Sequence, residues 1–147
     1  LIIRKTTGKN WEFFNLMEKF ISNSLEQVSE IAVKNFGKVS GQVKKSDNNQ
    51  VLTETDLEIG KYLISKIKNS FPDHNIIDEE AGVIDNSSDF TWVIDPIDGT
   101  SNFAGGIPTY GVIIGLLKSN IPIAGGIALP AFFEICVAEN GKGAFFQ

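Results

Sequence analysis

The stretch WVIDPIDGTSNF, residues 92–103, decides the fold assignment, because it joins a strand-like segment to a turn rich in oxygen ligands. Trp92-Val93-Ile94 has the aromatic and β-branched composition of a buried strand. It runs directly into Asp95 and Asp98, which lie three residues apart. Pro96 fixes its own φ and pushes Asp95 towards extended geometry, so a strand that ends here would direct both carboxylates to one side.

The chemistry of this turn favours a divalent cation beside a phosphate. Two carboxylates and the carbonyl of Ile97 form a set of hard oxygen ligands that suits Mg²⁺ or Mn²⁺. Without a cation, the carboxylates would repel each other and one of them would retain a proton. Gly99 permits close backbone approach, and the amides of residues 99–102 would form an anion site if they begin a helix. An ordinary Asp-capped turn is the alternative interpretation of Asp-Gly-Thr.

The composition limits the other classes of function. The 147 residues carry a net charge of −5 and are 42% hydrophobic, which fits one domain with a hydrophobic core. No basic stripe is present, which argues against binding to a nucleic-acid polymer. No apolar run is long enough for a membrane span. The single cysteine, Cys136, excludes a disulfide within this sequence and is compatible with the cytoplasmic location that we expect.

Two amphipathic helices are predicted in the first half of the chain. Apolar residues at three- and four-residue steps over residues 11–36 predict the first, with Gly37 as its stop. A capping-box pattern at residues 55–58 predicts the start of the second, and Phe71-Pro72 its end. The apolar face of the second helix is expected to consist of Leu57, Gly60, Ile64, Ile67 and Phe71.

The rest of the chain predicts strands, and hence an α+β fold with the two helices packed on a largely antiparallel sheet. Residues 44–50 are expected to form a loop or a hairpin turn, and residues 83–89 a loop. The apolar run at residues 144–147 would present an open strand edge, so we expect a piece of a longer protein with poor solubility. The predicted strands are residues 51–53, 75–77, 92–94, 110–117, 123–129 and 132–138.

Two further acidic segments could add ligands. Asp78-Glu79-Glu80 follows a short predicted strand and is a second source of carboxylates, although for these three acids alone a solvated acidic loop is the favoured interpretation. Asp56 lies at the start of the second helix, where interaction with the helix dipole is sufficient to account for it.

WVIDPIDGTSNF resembles the signature of the inositol monophosphatase family of magnesium-dependent, lithium-sensitive phosphatases. LTETD at residues 52–56, FPDH with DEE at residues 71–80 and GKGAF at residues 141–145 resemble further family motifs in the same order. The resemblance covers most of the chain but only the N-terminal half of a family member. It implies the N-terminal half of the layered αβαβα sugar-phosphatase fold, with residues 1–147 as a metal-binding phosphatase domain that lacks the C-terminal domain.

The resemblance implies two or three Mg²⁺ ions, with Mn²⁺ as an alternative. Glu79, Asp95 and the carbonyl of Ile97 would hold the first ion. Asp95 would bridge to a second ion that Asp98 also binds. Glu80 would lie behind these ligands and support them.

The catalytic residues implied are Asp56, Thr100 and Glu79. Thr100, hydrogen-bonded to Asp56, would orient and help deprotonate the attacking water. The amides of Gly99 and Thr100 would hold phosphate oxygens. His74 matches a loop position and is expected to be a surface residue. The substrate-binding residues implied are Asp98, Gly99, Thr100 and Ser101.

The implied function is metal-dependent hydrolysis of a phosphate monoester, an inositol phosphate or a related sugar or nucleotide phosphate, by a metal-activated water. Family members are commonly homodimers. A later tryptophan-aspartate motif of the family and its C-terminal domain do not occur in this sequence, so we expect weak or no turnover from these residues alone. Two alternatives stay open. One is a catalytically silent metal-binding scaffold, and the other is a haloacid-dehalogenase-type phosphatase, whose paired aspartates are two apart rather than three.

Overall fold

Two long helices and a seven-stranded sheet make up most of the part of the chain that the structure, a computed structural model, describes: residues 9–38, 42–44 and 47–146. No helix within these ranges is both long and apolar enough to cross a membrane. The elements, in chain order, are α1 (Lys9–Asn35), β1 (Gln42–Lys44), β2 (Asp47–Leu52), α2 (Glu54–Ser70), β3 (Asn75–Asp78), β4 (Gly82–Ile84), β5 (Phe90–Asp98), α3 (Thr100–Ala104), β6 (Gly111–Lys118), β7 (Ile121–Leu129), a 3₁₀ turn (Pro130–Phe132), β8 (Glu134–Glu139) and β9 (Gly143–Phe146).

The main sheet has the strand order β4-β3-β5-β6-β7-β8-β9, and β1 pairs with β2 in a separate two-stranded sheet. All neighbours in the main sheet are antiparallel except β3 and β5, which are parallel. The predicted α+β fold with a largely antiparallel sheet is therefore confirmed. The parallel pair matters for function, because parallel strands bring their carboxyl ends to the same edge of a sheet.

The core lies between the helices and the sheet. Helix α1 packs on β6, β7 and β8, while α2 packs beside α1 and on β5. Gly126 on β7 lets α1 approach closely, since a Cβ there would lie 2.8 Å from side-chain atoms of both Ile21 and Leu25. The buried apolar residues of α1 recur at helical spacing, as the sequence predicted: Met17, Ile21, Leu25, Val28 and Ala32.

Helix α2 differs from its prediction in two ways. Its N-cap is Thr53, so the capping box begins two residues before the predicted one. Its buried face also differs, because Leu57 is 50% exposed. The predicted and observed stripes both fit a 3.6-residue period, and only packing on β5 selects between them. The buried positions are Thr55, Asp56, Ile59, Gly60, Leu63 and Ile67.

Some strand predictions were also wrong in their boundaries. Residues 83–84 of the predicted loop at residues 83–89 belong to β4, a three-residue edge strand that forms by pairing with β3. Residues 47–50 form strand rather than loop, in β2. Residue 132 lies in the 3₁₀ turn that Pro130 starts, so β8 begins only at Glu134.

Candidate active site

The carboxyl ends of β3 and β5 bring two acidic segments together. In the parallel register, Asp78 lies opposite Ile94, and the Glu79 amide donates to the Ile94 carbonyl at 3.1 Å. The residues that follow these partners, Glu79 and Asp95, are therefore adjacent, and their side chains are hydrogen-bonded to each other. Segments separated in the sequence thus meet at one edge of the sheet.

A β-bulge at the end of β5 explains why a buried strand leads into Asp-Pro-Ile-Asp. Asp95 pairs with Ile113 and Asp98 pairs with Gly111, so residues 96–97 oppose a single residue of β6. A bulge bends its strand and redirects its side chains, and it tolerates a proline, which cannot donate to the ladder. The bulge lies between the two aspartates.

Gly99 makes the sharp turn from β5 into α3. Its φ of 84° and ψ of 37° are left-handed, and a Cβ would lie 3.0 Å from the Thr109 carbonyl oxygen, so glycine is required here. Helix α3 begins at Thr100, as the prediction for residues 99–102 required. That prediction was wrong for the Asn102 amide, which donates to the Gly99 carbonyl at 2.9 Å.

Asp56 and Thr100 form a second polar unit in the same region. The Thr100 hydroxyl lies 3.0 Å from Asp56 Oδ1 and 2.8 Å from the Ile97 carbonyl oxygen. Its one proton can serve only one of these acceptors fully at a time. Asp56 Oδ2 accepts from the amide of Thr53 at 2.9 Å and from its hydroxyl. The carboxylate is therefore held from both sides.

Sequence reasoning missed the role of Thr53. The signal was available, because a threonine three residues before Asp56 matches the capping-box pattern. The sequence that starts two residues later, at Thr55, matches the capping-box pattern equally well. The conformation of the chain before the helix, extended at Thr53, distinguishes the two.

The electrostatics of this region suit a cation. Burial first, then the charges of Glu79 and Asp98, raise the pKa of Asp95 from 3.8 to about 7. Asp95 Oδ1 is buried and has no hydrogen-bond partner among the residues that the structure describes. Burial also raises the pKa of Asp56, although hydrogen bonds from Thr53 and Thr100 oppose that change. Oxygen ligands with excess negative charge and an unused lone pair are what Mg²⁺ binds.

The carboxylates are not arranged as a closed ligand set. Within the described ranges, no group of three or more acidic, histidine or cysteine side chains is placed to hold one metal ion. Glu79 and Asp95 are hydrogen-bonded to each other instead. Two acids that share a proton turn their oxygens towards each other, whereas two ligands turn them towards a common cation. The set inferred from the sequence also included a backbone carbonyl, that of Ile97.

The remaining predicted residues lie around this cluster. Asp98 and Ser101 are exposed, as is Glu79, which directly follows β3, and Glu80 is partly buried. The Glu80 amide donates to Asp78 Oδ1 at 2.9 Å. Asp98 lies close enough to Asp95 for its charge to raise the Asp95 pKa.

His74 lies in the loop before β3, as predicted, and is half-buried there. Its ring is stacked between Phe71, 5.0 Å away, and Phe90, 4.8 Å away. Its Nδ1 accepts from Trp92 Nε1 at 3.1 Å, and burial lowers its pKa. His74 is therefore part of the aromatic packing at the start of β5.

Comparison with known proteins places this site in context. Residues 16–147 match the model of the inositol monophosphatase family. A fructose-1,6-bisphosphatase/inositol-1-monophosphatase of Thermotoga maritima is 35% identical over 123 residues, covering 84% of this chain and 47% of the relative. A histidinol-phosphatase of Chlorobaculum parvum is 35% identical over 122 residues, covering 83% and 47%.

The fold agrees with these relatives. The structure of an IMPase of Thermotoga maritima superposes with a TM-score of 0.81 at 32% identity, covering 92% of this chain and 51% of that one. The chain thus spans about half the length of the curated relatives that it matches. Because the family model covers most of its length, the chain belongs to the inositol monophosphatase family.

Proposed function

We propose that the complete protein hydrolyses small phosphate monoesters in a reaction that depends on Mg²⁺, with residues 1–147 as its N-terminal metal-binding domain. The observation that carries the proposal is the meeting of the Thr100–Asp56 hydrogen bond, 3.0 Å long, with the Glu79–Asp95 acidic pair. An ordinary turn capped by an aspartate would require neither the pairing of Glu79 with Asp95 nor the hydrogen bond from Thr100 to Asp56. A cation site beside an oriented hydroxyl uses both.

Glu79, Asp95, Asp98 and the Ile97 carbonyl would hold two or three Mg²⁺ ions, or Mn²⁺ in their place. When bound, the ions would neutralise charge on the phosphoryl group and its attacking and leaving oxygens. The pKa of Asp95, raised to about 7 by burial and by neighbouring acids, supports this assignment. A carboxylate in such surroundings gains from a nearby cation more than an isolated surface acid would.

Thr100 and Asp56 would direct the attacking water. When Thr100 donates its proton to Asp56, the lone pairs of its hydroxyl can accept a hydrogen bond from water. Asp56 keeps this orientation since Thr53 holds its other oxygen. Glu79 would take up the proton as general base. General acid–base help of this kind is typically worth about 10²–10⁴-fold in rate.

The turn into α3 would hold the phosphate. The first amides of a helix have no partner inside it, which leaves those of Thr100 and Ser101 available to phosphoryl oxygens. Gly99 lets a ligand approach the backbone closely. Asp98 would contribute through the cation that it shares with Asp95. Glu80 would support Glu79 from behind.

The substrate class is a small phosphate monoester of an alcohol, such as an inositol phosphate or a related sugar or nucleotide phosphate. Relatives of this chain are named for fructose 1,6-bisphosphate, inositol 1-phosphate and histidinol phosphate. All three are small molecules in which a phosphate is esterified to an alcohol carbon. The shared feature that the site would recognise is therefore the phosphate ester of an alcohol carbon.

Phosphate release from these three esters tests the proposal, with Mg²⁺, with EDTA, and with Mg²⁺ plus Li⁺. We expect turnover of at least one ester with Mg²⁺ and none with EDTA. Asp98→Asn should lower the rate at least 100-fold without changing the melting temperature. Asp85→Asn is the matched control, because Asp85 is an exposed acid in the loop after β4.

Two results would count against the proposal. If the protein binds Mg²⁺ but hydrolyses none of the esters, the catalytically silent scaffold is the better description. If an acid-stable phosphoryl group is trapped on Asp95, the haloacid-dehalogenase mechanism replaces the one proposed here. A rate for Asp98→Asn equal to that of Asp85→Asn would remove Asp98 from the site.

A further inference from the structure

Asp78 closes the turn that carries Glu79. It is the last residue of β3 and is only 2% exposed. Its Oδ1 accepts from the amides of Glu80 at 2.9 Å and Ala81 at 2.7 Å. An aspartate that bonds backbone amides two and three residues ahead fixes the conformation of the residues between them. Glu79 is the first of these residues.

Gly60 provides the space that Asp78 occupies. A Cβ at Gly60 would lie 2.9 Å from Asp78 Oδ2 and 3.3 Å from Pro96 Cγ. Glycine inside a helix costs about 1 kcal/mol relative to alanine, so its presence in the middle of α2 calls for a packing reason. The contact supplies one, and it joins α2, the turn after β3 and the bulge of β5 at one point.

The buried carboxylate is costly in itself. Asp78 Oδ2 is buried and has no hydrogen-bond partner within the described ranges. A polar atom buried in this way typically costs about 1–3 kcal/mol. A strand such as β3 needs no aspartate at its end to pair with its neighbours. The cost is understandable if the carboxylate sets the position of the next residue, Glu79.

We propose that Asp78, seated against Gly60, is a positioning residue that holds the Glu79 carboxylate at the metal site. This inference rests on the proposed function, since it assumes that Glu79 is a metal ligand. Residues that orient metal ligands typically cost about 10–100-fold in metal affinity when they are removed. The loss should appear in metal binding as well as in turnover.

Three variants of the protein test the inference. Calorimetry measures their affinity for Mn²⁺, and amide hydrogen exchange measures the protection of the turn after β3. Asp78→Ala should weaken Mn²⁺ binding about 10–100-fold and speed exchange of the Glu80 and Ala81 amides. Asp78→Asn keeps the accepting oxygen and should bind Mn²⁺ within about threefold of wild type. Gly60→Ala keeps every polar group and should weaken binding by a smaller factor, because its Cβ displaces Asp78.

Asp85→Ala is the matched control. Asp85 Oδ1 accepts from the Ser87 amide at 2.8 Å, so it makes the same kind of turn in an exposed loop away from the acidic pair. It should leave Mn²⁺ binding unchanged. A general loss of stability, by contrast, would lower the melting temperature of Asp78→Ala without changing the affinity of its folded state for Mn²⁺.

The outcomes separate this inference from the proposed function. If wild type and Asp78→Ala bind Mn²⁺ equally, Asp78 only caps a turn and the inference is overturned, while the proposed function is unaffected. If wild type binds Mn²⁺ and Asp78→Ala binds it weakly, but no ester is hydrolysed, the inference holds and the proposed function falls. If wild type binds no Mn²⁺, both are wrong.

Discussion

Replacing Asp95 by asparagine is expected to stabilise the metal-free protein while weakening metal binding. Burial and the charges of Glu79 and Asp98 raise the pKa of Asp95 from 3.8 to about 7. A difference of that size between the unfolded and folded states corresponds to roughly 4 kcal/mol of lost folding free energy above neutral pH. Asp95 is partly exposed, so solvent screening reduces the expected effect to about 1–2 kcal/mol.

The sign is set by the direction of the pKa change. The folded state binds the Asp95 proton more tightly than the unfolded state does, so stability is lost as the pH rises from 3.8 to about 7. Asparagine has a similar shape and does not titrate. The gain from Asp95→Asn should therefore be largest at about pH 8 and less than half as large at about pH 5.

Thermal unfolding in EDTA measures the gain in stability of Asp95→Asn over wild type directly. At about pH 8, Asp95→Asn should unfold about 3–8 °C above wild type, the shift that 1–2 kcal/mol produces in a domain of this size. Addition of Mg²⁺ should then raise the melting temperature of wild type more than that of the variant. Asp85→Asn removes a charge from an exposed position and should change neither value.

Two results would refute the reasoning. An Asp95→Asn protein no more stable than wild type at about pH 8 would mean that the acidic pair carries little repulsion. An equal gain at both pH values would mean that the stabilisation comes from packing or hydrogen bonding and not from removal of a charge.

Three further predictions concern single residues. Thr100→Val should lower kcat about 10²–10⁴-fold and leave the dissociation constant for Mg²⁺ within about twofold, while Thr100→Ser should restore most of the rate; equal losses in both variants would contradict a role for the hydroxyl. Burial lowers the pKa of His74 from 6.5, so the imidazole is protonated less readily in the folded state than in the unfolded state. The stability that neutral His74 contributes above pH 6.5 is therefore lost as the pH falls towards its folded pKa. His74→Gln should flatten this acid dependence in denaturant unfolding curves, and an unchanged profile would assign it to other groups. Gly126→Ala should destabilise the protein by about 1–3 kcal/mol, because its Cβ meets α1 and a carbonyl. Gly115→Ala should not, because no atom of the described part of the chain lies within 4 Å of its Cβ; equal effects in denaturant titrations would rule out the close helix–sheet contact.

Local patterns predicted the elements that extend over many residues. The repeat over residues 11–36 predicted α1 because a long periodic stripe has few alternative explanations. Apolar runs predicted β6 and β7 to within two residues at each end. The short strand β4 was missed, because it has only three residues and its pairing depends on the neighbouring strand β3 rather than on its own composition.

The face of α2 shows a second limit. A stripe containing Leu57 and Ile64 and a stripe containing Ile59 and Leu63 both fit the helix, but only the second is buried against the sheet. Asp78 shows the same limit, because the sequence alone predicts that it lies in a solvated acidic loop. Its burial arises from contact with Gly60, eighteen positions earlier in the chain.

By itself, the sequence determined the local chemistry and shape of residues 92–103. The ligand types, the proline that accompanies the bulge and the glycine that must turn left-handed are consequences of steric rules acting over a few bonds. Only the tertiary structure decided that Glu79 meets Asp95 and that Thr100 reaches Asp56, 44 residues away in the chain. Such contacts depend on which strands pair and in which direction. The packing of the whole domain determines that pairing, and no single segment specifies it.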